Sequence, residues 1–396
     1  MITVEEAEKI ICSQQRDFGS EKISFTESLN RVLAGDIKAD RDLPPYDRVT
    51  MDGIAIRYEA IQKGIKSFTI KTIQAAGDTP VNIDKIDECI EIMTGAALPS
   101  TTDTVVRYED IVISDKKAHL QTQNLRKRQN IHFKGSDRKK DEIIVPAHQI
   151  ITPAIIGTLA AVGSKDVSVK KIPKLAVVST GDELVNADNK PSPFQIRKSN
   201  DYSIEATLKK YSLQPDLLHL PDNAEIIKKE IETYLKNYDV LIFSGGVSMG
   251  KFDFLPKVLQ ELSVQLLFHK VEQRPGKPFW FGSYGTKLIF AFPGNPVSAF
   301  LCLHRYFLPW LQTCLCIPPS KIFAALGEDI GFEPPLTYFP QVKLQTSVEG
   351  KLIAHPVKGN GSGDFSSLVG ANAFMELPAD RTFFKKGEVF RAWPFT

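Results

Sequence analysis

The stretch Leu241 to Phe254, LIFSGGVSMGKFDF, holds the densest set of residues that could do chemistry. An apolar run over 239–243 stops at Ser244-Gly245-Gly246. Gly250, Lys251 and Asp253 follow, ahead of a helix-like run from Leu255 to Leu262. Strand, glycine-rich loop and helix turn backbone N–H groups toward an anion, usually a phosphate. Gly245, Gly250 and Lys251 match a P-loop spacing, but Phe252 stands where that loop needs a Ser or Thr hydroxyl for Mg²⁺. Asp253 is a carboxylate at the same mouth and could supply the metal ligand instead. Alone, the stretch reads either as a phosphate site with a metal or as an ordinary tight turn.

Comparable loops close other apolar runs. Lys174 to Ser179 runs into Thr180-Gly181-Asp182-Glu183, and Leu217 to Leu220 into Pro221-Asp222-Asn223. The run 264–270 leads to Arg274-Pro275-Gly276-Lys277-Pro278, and 287–291 to Phe292-Pro293-Gly294-Asn295-Pro296. Helical patterns lie between them, over Asp201 to Tyr211 (with Ser199 or Asn200 as cap), Ala224 to Leu235, and onward to about Leu315. Strands alternating with helices predict a doubly wound, mostly parallel sheet, and such sheets bind ligands at the carboxyl ends of their strands. Asp182, Glu183, Asp222, the Gly245–Asp253 loop, Lys270, Arg274, Lys277 and Asn295 should therefore converge on one edge. Carboxylates and cations together suit a Mg²⁺-bridged phosphate with a second anion nearby. Each residue also has a plainer reading: Asp182 or Asp222 alone as a helix cap, Asn295-Pro296 as an N-cap with Pro at N1.

The remaining chain must frame that edge. Val4, Ala7, Ile10 and Ile11 fall at helical spacing behind Thr3 and Glu6, a capping-box pair. Leu43-Pro44-Pro45-Tyr46-Asp47 is extended, because a residue before proline avoids the helical region. It leads to Met51-Asp52-Gly53, by default a hairpin turn. Phe68 to Asp110 alternates short apolar runs with Gly, Pro and Asp, the pattern of a small β domain, and includes Ile92-Met93-Thr94-Gly95-Ala96. The basic run Arg126 to Lys140 is a solvated hairpin or a partly buried anion site. Pro153 to Val162 returns to a helix. From Pro318 short strands predict a small β barrel or sandwich. There Gly359-Asn360-Gly361-Ser362-Gly363-Asp364 is a flexible loop or an oxyanion-holding nest. The expected division is a discontinuous extended and helical domain (1–45 and 141–171), a β domain (46–140), the doubly wound domain (172–317) and a C-terminal β domain (318–396).

Composition narrows the class. With 396 residues the chain exceeds one ordinary core, and a net charge of +2 argues against nucleic-acid binding through a broad basic field. No apolar run has the length of a membrane span, and the charged start is not a signal peptide. Five cysteines without a Cys-x-x-Cys suggest reduced thiols in a cytoplasm, with Cys314 and Cys316 as packing residues.

Six motifs, taken in order, carry a family resemblance. They are Pro44-Pro45-Tyr46-Asp47 with Met51-Asp52-Gly53, Met93-Thr94-Gly95-Ala96, Ser179-Thr180-Gly181-Asp182-Glu183-Leu184, Ser244-Gly245-Gly246-Val247-Ser248 with Asp253, Pro275-Gly276-Lys277-Pro278, and Pro293-Gly294-Asn295-Pro296-Val297-Ser298. Nearly end to end, the chain resembles the molybdopterin molybdenumtransferase family, of the MoeA and gephyrin E-domain type. The resemblance implies an elongated homodimer. It also implies a transferase of molybdenum cofactor biosynthesis that converts adenylated molybdopterin and molybdate to the molybdenum cofactor, releasing AMP and requiring Mg²⁺. Catalytic roles are then implied for Asp52, Thr94, Glu183, Asp222 and Asp253, the last three as Mg²⁺ ligands. Substrate contacts are implied for Ser179, Thr180, Gly181, Asp182, Gly245, Gly246, Ser248, Gly250, Pro293, Gly294 and Asn295. Molybdate, a tetrahedral dianion, needs hard donors and cations, for which Lys270, Arg274, Lys277 and Ser362 are the candidates. A molybdopterin adenylyltransferase is the implied supplier of substrate.

Four positions depart from the family pattern: Lys251 where an acid is common, Arg274 where a lysine is usual, and Gln341 (with Lys343 nearby) and His132 where arginines are frequent. Two rival readings share the fold: an adenylyltransferase or pyrophosphate hydrolase of a neighbouring step, and a non-catalytic scaffold. The Asp52 and Thr94 motifs and the C-terminal β domain oppose the first. Retention of Asp52, Thr94, Glu183 and Asp253 opposes the second.

Overall fold

The computed structural model describes residues 1–247, 253–318 and 320–395. The chain forms two compact units, one from Met1–Ala34, His148–Pro153 and Asp166–Thr396, the other from Gly35–Ala147 and Ala154–Lys165.

The larger unit is built on six strands: β1 (Leu175–Thr180), β2 (Asp216–Leu220), β3 (Val240–Ser244), β4 (Gln265–His269), β5 (Trp280–Tyr284) and β6 (Lys287–Phe292). Their order is β2-β1-β3-β6-β5-β4. β2, β1, β3 and β6 pair in parallel, and β5 lies antiparallel between β6 and β4. Two reversals leave β4 pointing with the parallel set, so five strands end on one edge. β1 and β3 are buried along their whole length, and strands covered on both faces read as unbroken apolar runs. β5 is the strand that the sequence pattern does not announce, because Pro278 and Gly285 bracket it as they would a loop.

Alternation along β1 sends Leu175 and Val177 to one core and Ala176 and Val178 to the other. Helices α1 (Asn200–Lys209) and α4 (Pro296–Cys302) and the N-terminal helix Val4–Ser13 cover the first face, while α2 (Ala224–Asn237) and α3 (Leu255–Glu261) cover the second. Each fully buried Val or Leu here contributes about 1.5–3 kcal/mol. The N-terminal helix carries the expected capping box between Thr3 and Glu6. α4 continues through a π turn, Leu303–Phe307, into the helix Leu308–Cys314. The π turn places Arg305, whose side chain is 1% exposed, 2.7 Å from Glu8 of the N-terminal helix. Arg305 Nε also stands 3.1 Å from Glu376, an ion-pair distance, and the guanidinium lies over Trp393 at 4.3 Å. Five strands between Ile322 and Pro394 close a barrel with its own apolar core of Ala324, Leu326, Val342, Ala354 and Met375.

The smaller unit holds a six-stranded mixed sheet over Gly53–Leu120, packed on Ile54, Ile56, Phe68, Cys89 and Val106. Asp52-Gly53 is not a hairpin turn. Gly53 opens the strand Gly53–Ile56, and a β-carbon on it would fall 1.9 Å from the carbonyl oxygen of Val106. The glycine is there for close strand approach. In the basic run Lys127 pairs with Asp103, Lys134 with Asp42 and His132 with Asp137, while Arg128 covers the ring of Phe133. All five cysteines are free. Among the described residues no helix is long and apolar enough to cross a membrane.

Candidate active site at the carboxyl edge of the doubly wound sheet

A cavity of about 1110 Å³ opens where β1 and β3 end. β1 is the strand from which the chain order runs outward both ways, the crevice in which doubly wound sheets bind ligands. Ser179 and Thr180 end β1, Ser244, Gly245 and Gly246 end β3, and Pro293, Gly294 and Asn295 follow β6. Gly245 N–H donates to the carbonyl of Phe292 at 3.1 Å. Gly246 has φ +72°, and a β-carbon on it would come 2.9 Å from Thr180 Oγ1. Only glycine lets the β3 turn lie this close to the end of β1.

Asn200 binds these loops together. Its Nδ2 donates to Ser244 Oγ and to the Gly294 carbonyl, each at 2.8 Å. The residue expected as a cap thus reaches across the cavity floor, and Ser199 at the N-cap position makes no side-chain capping bond. On the barrel side, Ser362 Oγ accepts from Asn295 Nδ2 at 2.8 Å, and its carbonyl accepts from Val297 N–H at 3.1 Å. The Pro275–Pro278 turn is propped by buried Gln273, which donates to the Gly276 carbonyl at 3.2 Å and accepts from the Tyr306 hydroxyl. Leu184–Val185 pairs in parallel with Ile196–Arg197, forming a flap along the rim.

The charged lining comprises Arg197, Lys198, Arg274 and Lys277 against Glu183 and Asp201. Among the described residues, four cations against two acids give the cavity a positive field suited to a polyanion. Two of its polar side chains are buried with an oxygen that has no hydrogen-bond partner among the described residues: Thr180, 7% exposed, through Oγ1, and Asp201, 3% exposed, through Oδ1. Burial raises the Asp201 carboxyl above the ordinary range, against the Ser179 hydroxyl and Lys198, which lower it. Burial and then Lys198 lower His219, whose Nδ1 lies 3.1 Å from Ser179 Oγ, so the imidazole is neutral at pH 7.

Of the residues singled out from sequence, Ser179, Thr180, Glu183, Gly245, Gly246, Arg274, Lys277, Pro293, Gly294, Asn295 and Ser362 line this cavity. Gly181, Asp182, Asp222, Asp253 and Lys270 lie outside the lining. Asp182 Oδ1 accepts from Asp222 N–H at 3.1 Å, bridging the turns after β1 and β2. Ser248, Gly250 and Lys251 fall outside the described residues. Asp52 and Thr94 belong to the smaller unit, where Asp52 Oδ1 accepts from Thr94 N–H at 2.6 Å. Gln341 is buried in the barrel, donating to Ser367 Oγ at 2.9 Å, and neither it nor Lys343 reaches the lining. Lys198, Asn200, Asp201 and Gln273 are site residues that sequence reasoning missed. Asn200 bonds to Ser244 and Gly294 and Gln273 to Tyr306, all far away in the chain, so no local spacing marks these two.

Comparison with known proteins agrees with this architecture. Residues 2–163 match the model of the MoeA N-terminal region (domain I and II), 176–313 that of a probable molybdopterin binding domain, and 324–395 that of the MoeA C-terminal region (domain IV). A molybdopterin molybdenumtransferase from Synechocystis is 37% identical, with 98% of this chain and 99% of that protein covered. One from Staphylococcus epidermidis is 32% identical, covering 98% and 94%. The crystal structure of molybdopterin biosynthesis moeA protein from Pyrococcus horikoshii OT3 superposes with a TM-score of 0.82 at 28% identity, covering 99% of both chains. Three family regions in succession, on a chain of the same extent as its relatives, make this protein a member of the molybdopterin molybdenumtransferase family.

Proposed function

We propose that this chain, as a cytoplasmic homodimer, transfers molybdenum from molybdate to adenylated molybdopterin and releases AMP. The observation that carries the reading is the cationic cavity at the β1–β3 crevice, whose floor is made of glycine turns. A pyrophosphate-linked substrate is a polyanion, and turns without β-carbons let backbone donors approach its phosphates. Arg274, Lys277 and Ser362 stand along the same lining and have the hard donors that an oxyanion such as molybdate requires. Ser362 Oγ accepts from Asn295, which leaves its own proton for the anion. Lys270, behind the Pro275–Pro278 turn, is proposed as a more distant cation, and Asp52 and Thr94 as further substrate-contacting residues.

Glu183, Asp222 and Asp253 are the proposed carboxylates for Mg²⁺. Among the described residues no three His, Cys, Asp or Glu side chains gather closely enough to hold a metal by themselves. Mg²⁺ takes one or two protein carboxylates and fills its octahedron with substrate phosphate oxygens and water, and of the three proposed carboxylates Glu183 stands at the lining. When bound, the ion supplies charge neutralisation to the departing phosphate. The chain's own residues bind the pyrophosphate, hold the oxyanion and exclude water, so positioning and electrostatics replace a nucleophilic side chain.

The test is AMP release by the purified protein given adenylated molybdopterin, Mg²⁺ and molybdate. The proposal expects release that depends on molybdate. Release indifferent to molybdate would identify a pyrophosphate hydrolase, and no release would identify a scaffold.

A further inference from the structure

Asp201 is the residue of the cavity wall that the proposed reaction leaves without a task. It stands in the first turn of α1, a position where acids are common because they favour the positive end of the helix. Such acids are ordinarily solvated. Asp201 is 3% exposed, and its Oδ1 meets no hydrogen-bond donor among the described residues. A buried, underpaired carboxylate is destabilising and persists when a ligand supplies the missing donors. Ser179 and Lys198 support the group from the protein side, so the deficit lies toward the cavity that Asp201 lines.

The chemistry of the group selects the part of the ligand it meets. An ionised carboxylate only accepts hydrogen bonds, and it repels phosphate. The pyrophosphate therefore lies elsewhere, along the glycine turns and cations. Of the two heterocycles in an adenylated pterin, adenine offers an amino group next to ring nitrogens that are themselves acceptors. The pyrimidine ring of a pterin offers N3–H and the 2-amino group side by side, a pair of donors spaced for both oxygens of one carboxylate.

Resting on the function proposed above, we infer that Asp201 is a specificity-determining residue, its carboxylate accepting paired hydrogen bonds from the 2-amino-4-oxopyrimidine edge of the pterin. Buried groups that must be satisfied by a substrate N–H discriminate strongly against analogues lacking it.

Calorimetric titration of the full chain with molybdopterin and, separately, with AMP tests this, using the wild type and Asp201→Asn. Asp201→Asn is expected to lose at least about tenfold in molybdopterin affinity and to keep AMP affinity within about twofold. A parallel pair on the wild type alone, pterin-6-carboxylate against lumazine-6-carboxylate, exchanges the 2-amino group for an oxo group and needs no variant. At least about tenfold preference for the pterin is expected there. Equal losses for both ligands, a loss confined to AMP, or a wild type blind to the 2-amino group would each overturn the inference. Should the wild type bind pterin and AMP yet show any of these, Asp201 alone is misassigned. Should it bind neither, the function proposed above fails with it.

Discussion

Asn200 and Gly294 are joined across the cavity floor by a 2.8 Å hydrogen bond, and the same amide nitrogen reaches Ser244 Oγ. One side chain thereby fixes the spacing of the loops after β3 and β6. Asn200→Ala removes both bonds and should cost about 1–3 kcal/mol in transition-state stabilisation, seen as a fall in kcat/KM. Asn200→Asp should be the worse of the two, since it sets a carboxylate oxygen against the Gly294 carbonyl. Steady-state AMP release by the two variants checks the order, and an Asp variant as active as wild type would refute the role.

Asp52 is exposed, and the Thr94 backbone N–H holds its carboxyl below the usual carboxylate range. Its stability contribution is present above the ordinary carboxylate pKa and is lost as pH falls through the lowered value, so Asp52 is ionised at pH 7. Asp52→Asn keeps an acceptor for Thr94 while removing the charge. Turnover should fall at least tenfold with the melting temperature little changed. Normal turnover would leave Asp52 as a turn bridge only.

Ser362 touches the cavity from the barrel side. In Ser362→Ala the KM for molybdate should rise about fivefold or more, as expected for loss of one hydrogen bond to a charged group. The KM for adenylated molybdopterin should change little. A rise confined to the adenylated substrate would move Ser362 away from the oxyanion.

His304 is buried between the rings of Phe300 and Phe395, and burial lowers its pKa to about 3. The unfolded chain protonates this imidazole near pH 6.5 while the folded chain does not. The unfolded state therefore binds more protons between those values, and stability rises with pH there, by up to about 1.4 kcal/mol per pH unit from this group. His304→Phe should flatten the acid limb of a plot of denaturant midpoint against pH between 6.5 and 4. An unchanged limb would show that other groups set it.

The β1 and β3 runs and the loops behind them were legible because parallel strands buried on both faces leave continuous apolar signatures ended by glycine. The capping box at Thr3 and Glu6 is equally local. Asn200 and Asp201 were not legible as site residues, since Ser199-Asn200-Asp201 is an ordinary helix start and only the return of β3 and β6 gives it other work. Gly53 misled for the same reason: next to Asp52 it resembles a turn, and only the approach of Val106 shows that it is a strand contact.

Arg305 bears on how the cavity can open. Its guanidinium is shared by Glu8 near the start of the chain and Glu376 in the barrel. Peeling the barrel away would take Glu376 and the Trp393 ring from that guanidinium together. Ser362 rides on that barrel, so the ion pair that docks the barrel also holds the barrel-side wall of the cavity in register with Asn295.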